Sequence, residues 1–174
     1  MVKSMWQQAP ENTLESLKHG IQFNDGIEFD IRLTKDGELI VHHDTKISVP
    51  PQKRPNSYSW VENHTLEELT SLGFLSFRSM LEDKHIQNEW RDKGKIGCIE
   101  LKRPHPHALY GGGVFGKKQH ISHVSTMMGK SESLLKEFEI PSSNMVYYSF
   151  HTGMKSSVQL SGTDRPWAEL VPYL

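Results

Sequence analysis

The 174-residue sequence has one cysteine, Cys98, and three alanines. No apolar run in it approaches the ~18 residues that read as a membrane-spanning helix. A single cysteine excludes an internal disulfide framework and gives no sign of export. Charge of one sign is also missing: Lys+Arg 20 against Asp+Glu 21 leaves a net charge of -1. That balance excludes the basic face of a nucleic-acid binder and offers no electrostatic hold on an anionic membrane. Residues 1 to 10 lack the apolar stretch of a secretory signal, so a cytoplasmic location is expected. Ala, Val, Ile, Leu, Met, Phe, Trp, Cys and Gly together make up about 40% of the chain, below the ~45–50% of typical domains. The length suits one domain with a hydrophobic core. The composition adds the expectation that apolar faces are left over for further protein. No internal repeat or low-complexity tract stands out.

What is present begins with a helix signal. Asn12 is read as an N-cap with Glu15 in the capping-box position, and Leu14, Leu17 and Ile21 follow at helical spacing. Residues 26 to 33, GIEFDIRL, then alternate strictly. Ile27, Phe29, Ile31 and Leu33 point one way, and Glu28, Asp30 and Arg32 the other. Asp36-Gly37 separates this run from ELIVHHD and is a strong hairpin signal. With those two residues as the turn, Asp30 lies opposite His43 and shares its face. A slip of one residue brings in His42 instead. Residues 45 to 63 read as a long polar, proline-bearing loop. Thr65 and Glu68 form a capping box for a short helix ended by Gly73, and a second helix is expected over 77 to 91. KIGCIELK is a strand with Cys98, Glu100 and Lys102 on one face. Residues 103 to 120 read as a Gly- and His-rich loop. A helix over 121 to 138, with Met127, Met128, Leu134 and Leu135 in the core, leads to the strand MVYYSF. The tail shows no closing element. Helices alternating with apolar strands predict an α/β architecture, parallel apart from the one hairpin.

Strands covered on both faces normally read as continuous apolar runs. Glu28 and Asp30 on one strand, with Glu100 and Lys102 on another, break that rule. Buried charges need partners or a metal, and three carboxylates in one pocket repel unless a cation neutralises them. Oxygen-only ligation suits Mg²⁺ or Ca²⁺. Lys102 beside that site makes a seat for a phosphate group, and His43 is placed to donate or accept a proton. The alternation of Glu28 and Asp30 taken alone equally suits the solvated face of an exposed hairpin. His105, His107, His120 and His123 are read as solvent-exposed rather than as a zinc site. GGGVFGKK lacks the spacing of a P-loop.

PENTLESLKHGIQFNDGIEFDIRLTKDGELIVHHD, resumed by IELK at 99 to 102, resembles the glycerophosphodiester phosphodiesterase family, and YYSF at 147 to 150 fits a later strand of it. The resemblance implies a partial TIM-type (β/α) barrel of the phospholipase C-like phosphodiesterase kind, with the hairpin carrying the second catalytic histidine. It implies metal-dependent hydrolysis of a small glycerophosphodiester to glycerol 3-phosphate and an alcohol, in lipid metabolism. Carried over residue by residue, the metal carboxylates are Glu28, Asp30 and Glu100, the catalytic histidine is His43 and the phosphate-binding lysine is Lys102. The cofactor is a divalent metal, Mg²⁺ or Ca²⁺. The family's His-Arg-Gly run, a few residues before PENT, is replaced by MVKSMWQQ. The first catalytic histidine and its arginine are therefore absent from this chain. A TIM barrel needs about 250 residues, so residues 1–174 are expected to be a single truncated domain supplying three or four barrel strands. A homo-oligomer that completes the barrel is one expectation. Two alternatives stand beside the hydrolase: a relative that binds metal and phosphate without turnover, and a lysophospholipase D-like lipid phosphodiesterase.

Overall fold

The computed structural model describes residues 9–47, 60–105, 108 and 117–171. The alternating segment forms strand β1, Gly26–Leu33, with the bounds expected from the sequence. Its apolar members, Ile27, Phe29, Ile31 and Leu33, are all buried. The other strands are β2 (Leu39–Val41), β3 (Leu75–Ser76), β4 (Ile96–Leu101), β5 (Met145–Ser149) and β6 (Trp167–Glu169). They form one sheet in the order β3-β2-β1-β4-β5-β6. β1, β4, β5 and β6 run parallel. Both β1–β2 and β2–β3 are antiparallel, so there is one antiparallel pairing more than expected. Among the described residues the sheet is open, an arc rather than a closed barrel.

The apolar face of the sheet carries the main core. Helices α1 (Leu14–Phe23), α3 (Phe77–Glu82), α4 (Lys84–Gln87), α5 (Lys117–Glu137) and α6 (Met154–Ser161) supply Leu17, Ile21, Met80, Ile86, Met127 and Met154 to it. Met127, Met128 and Leu135 lie in this core as expected, with Leu134 packed at its margin. A smaller cluster of Ile40, Ile47, Val61 and Leu69 forms separately, with helix α2 (Leu66–Ser71) contributing Leu69. Ile40 pairs with Arg32, and paired residues share a face. This second cluster therefore belongs to the charged side of β1.

Local expectations fail where a tertiary contact competes. Helix α1 is capped by Thr13, with Ser16 completing the capping box, and not by Asn12 with Glu15. Thr65 and Glu68 form their capping box as expected. The single helix expected over 77 to 91 is three pieces: α3, α4 and a wide π-type turn at Asn88–Asp92. The break is at Asp83, whose extended backbone ends α3 while its carboxylate accepts from the His85 and Ile86 N–H groups. The helix expected from 121 begins at Lys117. The tail from Thr163, expected to lack a closing element, forms β6 after helix α6. Most of the loop read at 45 to 63, His107 and most of GGGVFGKK lie outside the described residues.

Trp90 is fully buried where the wide turn meets β4, and its Nε1 donates to the Asn144 carbonyl at 2.8 Å. A Cβ on Gly97 would fall on the Trp90 indole. Gly97→Ala is expected to destabilise the protein by roughly 1–3 kcal/mol through overpacking, measured by urea unfolding. An unchanged midpoint would mean that the indole shifts freely.

Candidate active site

Parallel pairing of β1 with β4 sets Glu28 beside Cys98 and Asp30 beside Glu100, and β4–β5 pairing sets Glu100 beside Tyr148. Residues paired in this way share a face, so three carboxylates converge on the side of the sheet away from the main core. Glu28, Asp30 and Glu100 each offer an oxygen, and these atoms all lie within 4.8 Å of one another. No other such group of three or more potential metal ligands occurs among the described residues. Asp30 and Glu100 are buried and Glu28 is exposed.

Lys102 is placed in the middle of the acids. Its Nζ lies 2.9 Å from Asp30 Oδ1 and 2.7 Å from Glu100 Oε1. Lys102, read as a phosphate seat beside the acids, lies in this structure as the counter-ion of two of them. Three carboxylates against one ammonium leave two negative charges, the complement of a divalent cation. The all-oxygen donor set fits a hard ion such as Mg²⁺ or Ca²⁺. Tyr148 donates its phenolic O–H to Glu28 Oε1. Although its surface is exposed, partial desolvation by the surrounding protein raises Glu28 above the ordinary carboxylate range, the Tyr148 hydrogen bond opposes the rise, and the Asp30 and Glu100 charges add to it. Burial, the bond to Glu28 and the neighbouring charges raise Tyr148, so its proton stays in place.

Asn12, read as a helix cap, belongs instead to this site. With φ 56 it turns its side chain onto β1. Its Nδ2 donates to Asp30 Oδ2 at 2.8 Å, and its Oδ1 accepts from the Asp30 N–H at 3.1 Å. Neither this role nor that of Tyr148 carries a local signal. Each depends on a strand register or on a contact across 18 residues or more.

The hairpin register differs from expectation by one residue. Leu33 pairs with Leu39 and Ile31 with Val41, and the His42 N–H reaches the Asp30 carbonyl. Asp30 is therefore level with His42, not His43. The loop spans three residues, Lys35, Asp36 and Gly37, with Gly37 at φ 78, where glycine carries no Cβ penalty. His43 nonetheless lines the acidic pocket, because β2 ends at Val41 and the chain bends beyond it. The pocket, ≈ 490 Å³, is lined among others by Asn12, Glu28, Asp30, His43, Glu100 and Tyr148. His43 Nδ1 sits 2.9 Å from Asp44 Oδ1, and this bond lowers Asp44. His42 turns away, its Nε2 3.2 Å from the Lys46 carbonyl and its ring edge-on to Phe74.

Of the histidines read as solvent-exposed, the three that are described, His105, His120 and His123, are half-buried or buried. His120 and His123 lie on α5, and burial pushes His123 down to about 3. His105 stacks on Trp60.

The model of the "Glycerophosphoryl diester phosphodiesterase family" matches residues 5–138. The chain belongs to this family. Among its curated relatives, the glycerophosphodiester phosphodiesterase of Bacillus subtilis strain 168 is 39% identical over 96 residues, which are 55% of this chain and 29% of the relative. That of Caldanaerobacter subterraneus subsp. tengcongensis is 41% identical over 64 residues, 36% of this chain and 25% of the relative. Of solved structures, a glycerophosphodiester phosphodiesterase from Parabacteroides distasonis superposes with TM-score 0.68 at 20% identity, covering 98% of this chain and 62% of that one. An Oleispira antarctica phosphodiesterase, solved in complex with the product sn-glycerol-3-phosphate, gives 0.59 at 21% identity, with 93% and 60% covered. The matches to curated relatives span under a third of their lengths, and those to the solved structures about three-fifths. At that identity the superpositions speak for the fold alone: the open sheet is part of a TIM-type barrel.

Proposed function

We propose that this chain carries the metal and proton-transfer part of a hydrolase that cleaves glycerophosphodiesters to glycerol 3-phosphate and an alcohol. The observation that carries this reading is the convergence of Glu28, Asp30 and Glu100 within 4.8 Å, with two uncompensated negative charges beside Lys102 and His43. The three carboxylates would hold Mg²⁺ or Ca²⁺. When bound, the ion supplies Lewis-acid stabilisation of charge on the phosphoryl oxygens. Asp44 holds Nδ1 of His43, which leaves Nε2 to exchange a proton with the alcohol oxygen. Lys102 adds positive charge where the phosphate would sit. Tyr148, protonated throughout, fixes Glu28 as an outer partner of the ion.

The test is release of sn-glycerol 3-phosphate from glycerophosphodiesters, with and without added Mg²⁺ or Ca²⁺, and with lysophospholipids alongside. Metal-dependent release from the water-soluble diesters is expected. Turnover of the lysolipids alone would favour the lipid phosphodiesterase. The second reading is a relative that binds metal and phosphate without turnover. Calorimetric metal binding without turnover would establish that second reading. Separately, Tyr148→Phe is expected to weaken divalent binding by roughly tenfold, as loss of an outer partner does. Calorimetry on both proteins measures it, and unchanged affinity would remove Tyr148 from the site.

A further inference from the structure

The most deeply buried ion pair among the described residues lies on the site's side of the sheet and takes no part in that chemistry. Arg32 and Glu62 are exposed by 3% and 0%, and Arg32 Nη1 donates to Glu62 Oε1 at 2.9 Å. Such a pair is weak evidence for stability, because desolvation of both charges opposes their attraction. Its other bonds point elsewhere. Arg32 Nε and Nη2 both donate to the His43 carbonyl, at 3.2 and 2.8 Å. Nη1 also reaches the Arg103 carbonyl at 3.0 Å, one residue after Lys102. Burial raises Glu62, while Arg32 and the backbone N–H groups of Glu62 and His105 hold it down.

Besides the Asp44 contact at its Nδ1, His43 has few determinants of its position. The last backbone bond across the hairpin is from the His42 N–H to the Asp30 carbonyl, and β2 has already ended at Val41. The His43 side chain is 51% exposed, as is fitting for a group that meets substrate, and its neighbour Asp44 is 66% exposed. Packing therefore contributes little to the ring's position. The carbonyl that Arg32 grips links the residue bearing the imidazole to the rigid sheet, one residue beyond the His42–Asp30 bond. A guanidinium presents its donors in a fixed planar fork, whereas a lysine ammonium is a point charge on a flexible stem.

We propose that Arg32 is a positioning residue: held by Glu62, it ties the segment just beyond β2, which bears His43, to the segment just beyond β4, which follows Glu100 and bears Lys102. The consequence is that proton transfer depends on Arg32, whose side chain is engaged by Glu62 and two backbone carbonyls, while the metal carboxylates do not depend on it. The turnover arm of the test rests on the hydrolase reading; the spectroscopic arm does not.

Two variants separate positioning from support. Arg32→Lys keeps the charge beside Glu62 and loses the fork. The double variant Arg32→Met/Glu62→Leu removes the pair altogether, a change that is commonly neutral or stabilising in a buried site. The readouts are the thermal midpoint, Mg²⁺ affinity, the NMR signals of the His43 ring protons and, where the wild type turns over, kcat and KM. Both variants are expected to fold and bind Mg²⁺ as the wild type does, while the His43 signals shift or broaden and those of His19 on α1 do not. kcat is expected to fall by roughly 100-fold with little change in KM, the scale of a small misplacement of a reacting group. A folded variant with wild-type His43 signals would overturn the proposal. So would failure of both variants to fold, which would make the pair a structural support. A wild type without turnover would count against the hydrolase reading and leave the His43 signals to decide on Arg32.

Discussion

Glu100→Ala is expected to abolish divalent-ion binding, lowering affinity by more than the roughly 10–100-fold that loss of an outer partner costs. Glu28→Ala should do the same, and His43→Ala should leave binding nearly intact. The argument is one of charge and geometry. Three carboxylate oxygens within 4.8 Å of one another face one ammonium. Removing one carboxylate halves the uncompensated charge and takes away one of three ligands. In Glu100→Ala, Lys102 would also be freed to pair fully with Asp30, competing for a second ligand. His43 lies on the pocket wall, with its Nδ1 engaged by Asp44. Calorimetric titration of the three variants with Mg²⁺ and Ca²⁺ is the measurement. Equal binding in all of them would mean that the acidic cluster holds no ion.

Arg165→Ala should have the largest effect on stability. Arg165 is 5% exposed. Its Nε meets Glu132 on α5 at 2.8 Å, and Nη1 and Nη2 both donate to the Ile140 carbonyl at 3.2 Å. Glu132 also accepts from Thr163 Oγ1 at 2.8 Å and from the buried Tyr147 hydroxyl at 3.3 Å. Truncating the arginine leaves a buried carboxylate facing hydroxyls alone. The expected loss is about 3–5 kcal/mol. For a chain of this size that lowers the melting temperature by about 10 °C. Arg78→Ala is the control. Its bidentate pair with Glu137 has bonds of 2.6 and 2.8 Å, yet both side chains are about half exposed. Solvent and salt screen such a pair, and little change is expected. Equal melting temperatures for the two variants would show that the arginine network does not brace β6 and α5.

Glu28, Asp30, Glu100 and Lys102 were legible in the sequence because a strand's side-chain period is two, and charge on an otherwise apolar strand is conspicuous. His43 was also named, by the family resemblance and by a hairpin register that the structure does not have. The pairing is one residue away from that expected, and the histidine reaches the pocket only because the strand ends before it.

By itself, then, the sequence determined whatever depends on a short window: the limits of β1, the Thr65 capping box, the burial of Leu17, Ile21, Met80 and Met127, and which charged residues share a strand face. Tertiary structure decided the rest. The hairpin loop is fastened from outside, since Asp36 accepts from the Leu66 N–H at 3.0 Å and the Lys35 N–H donates to the His64 carbonyl at 2.8 Å. Asn12 left the helix cap to Thr13 and turned to Asp30, 18 residues away. Arg32 found Glu62 across 30 residues and Arg103 across 71. Periodicity is set by backbone geometry within a few residues, so it is written locally. Register, caps and buried charge pairs are settled by which distant donor or acceptor completes a group that burial would otherwise leave unsatisfied.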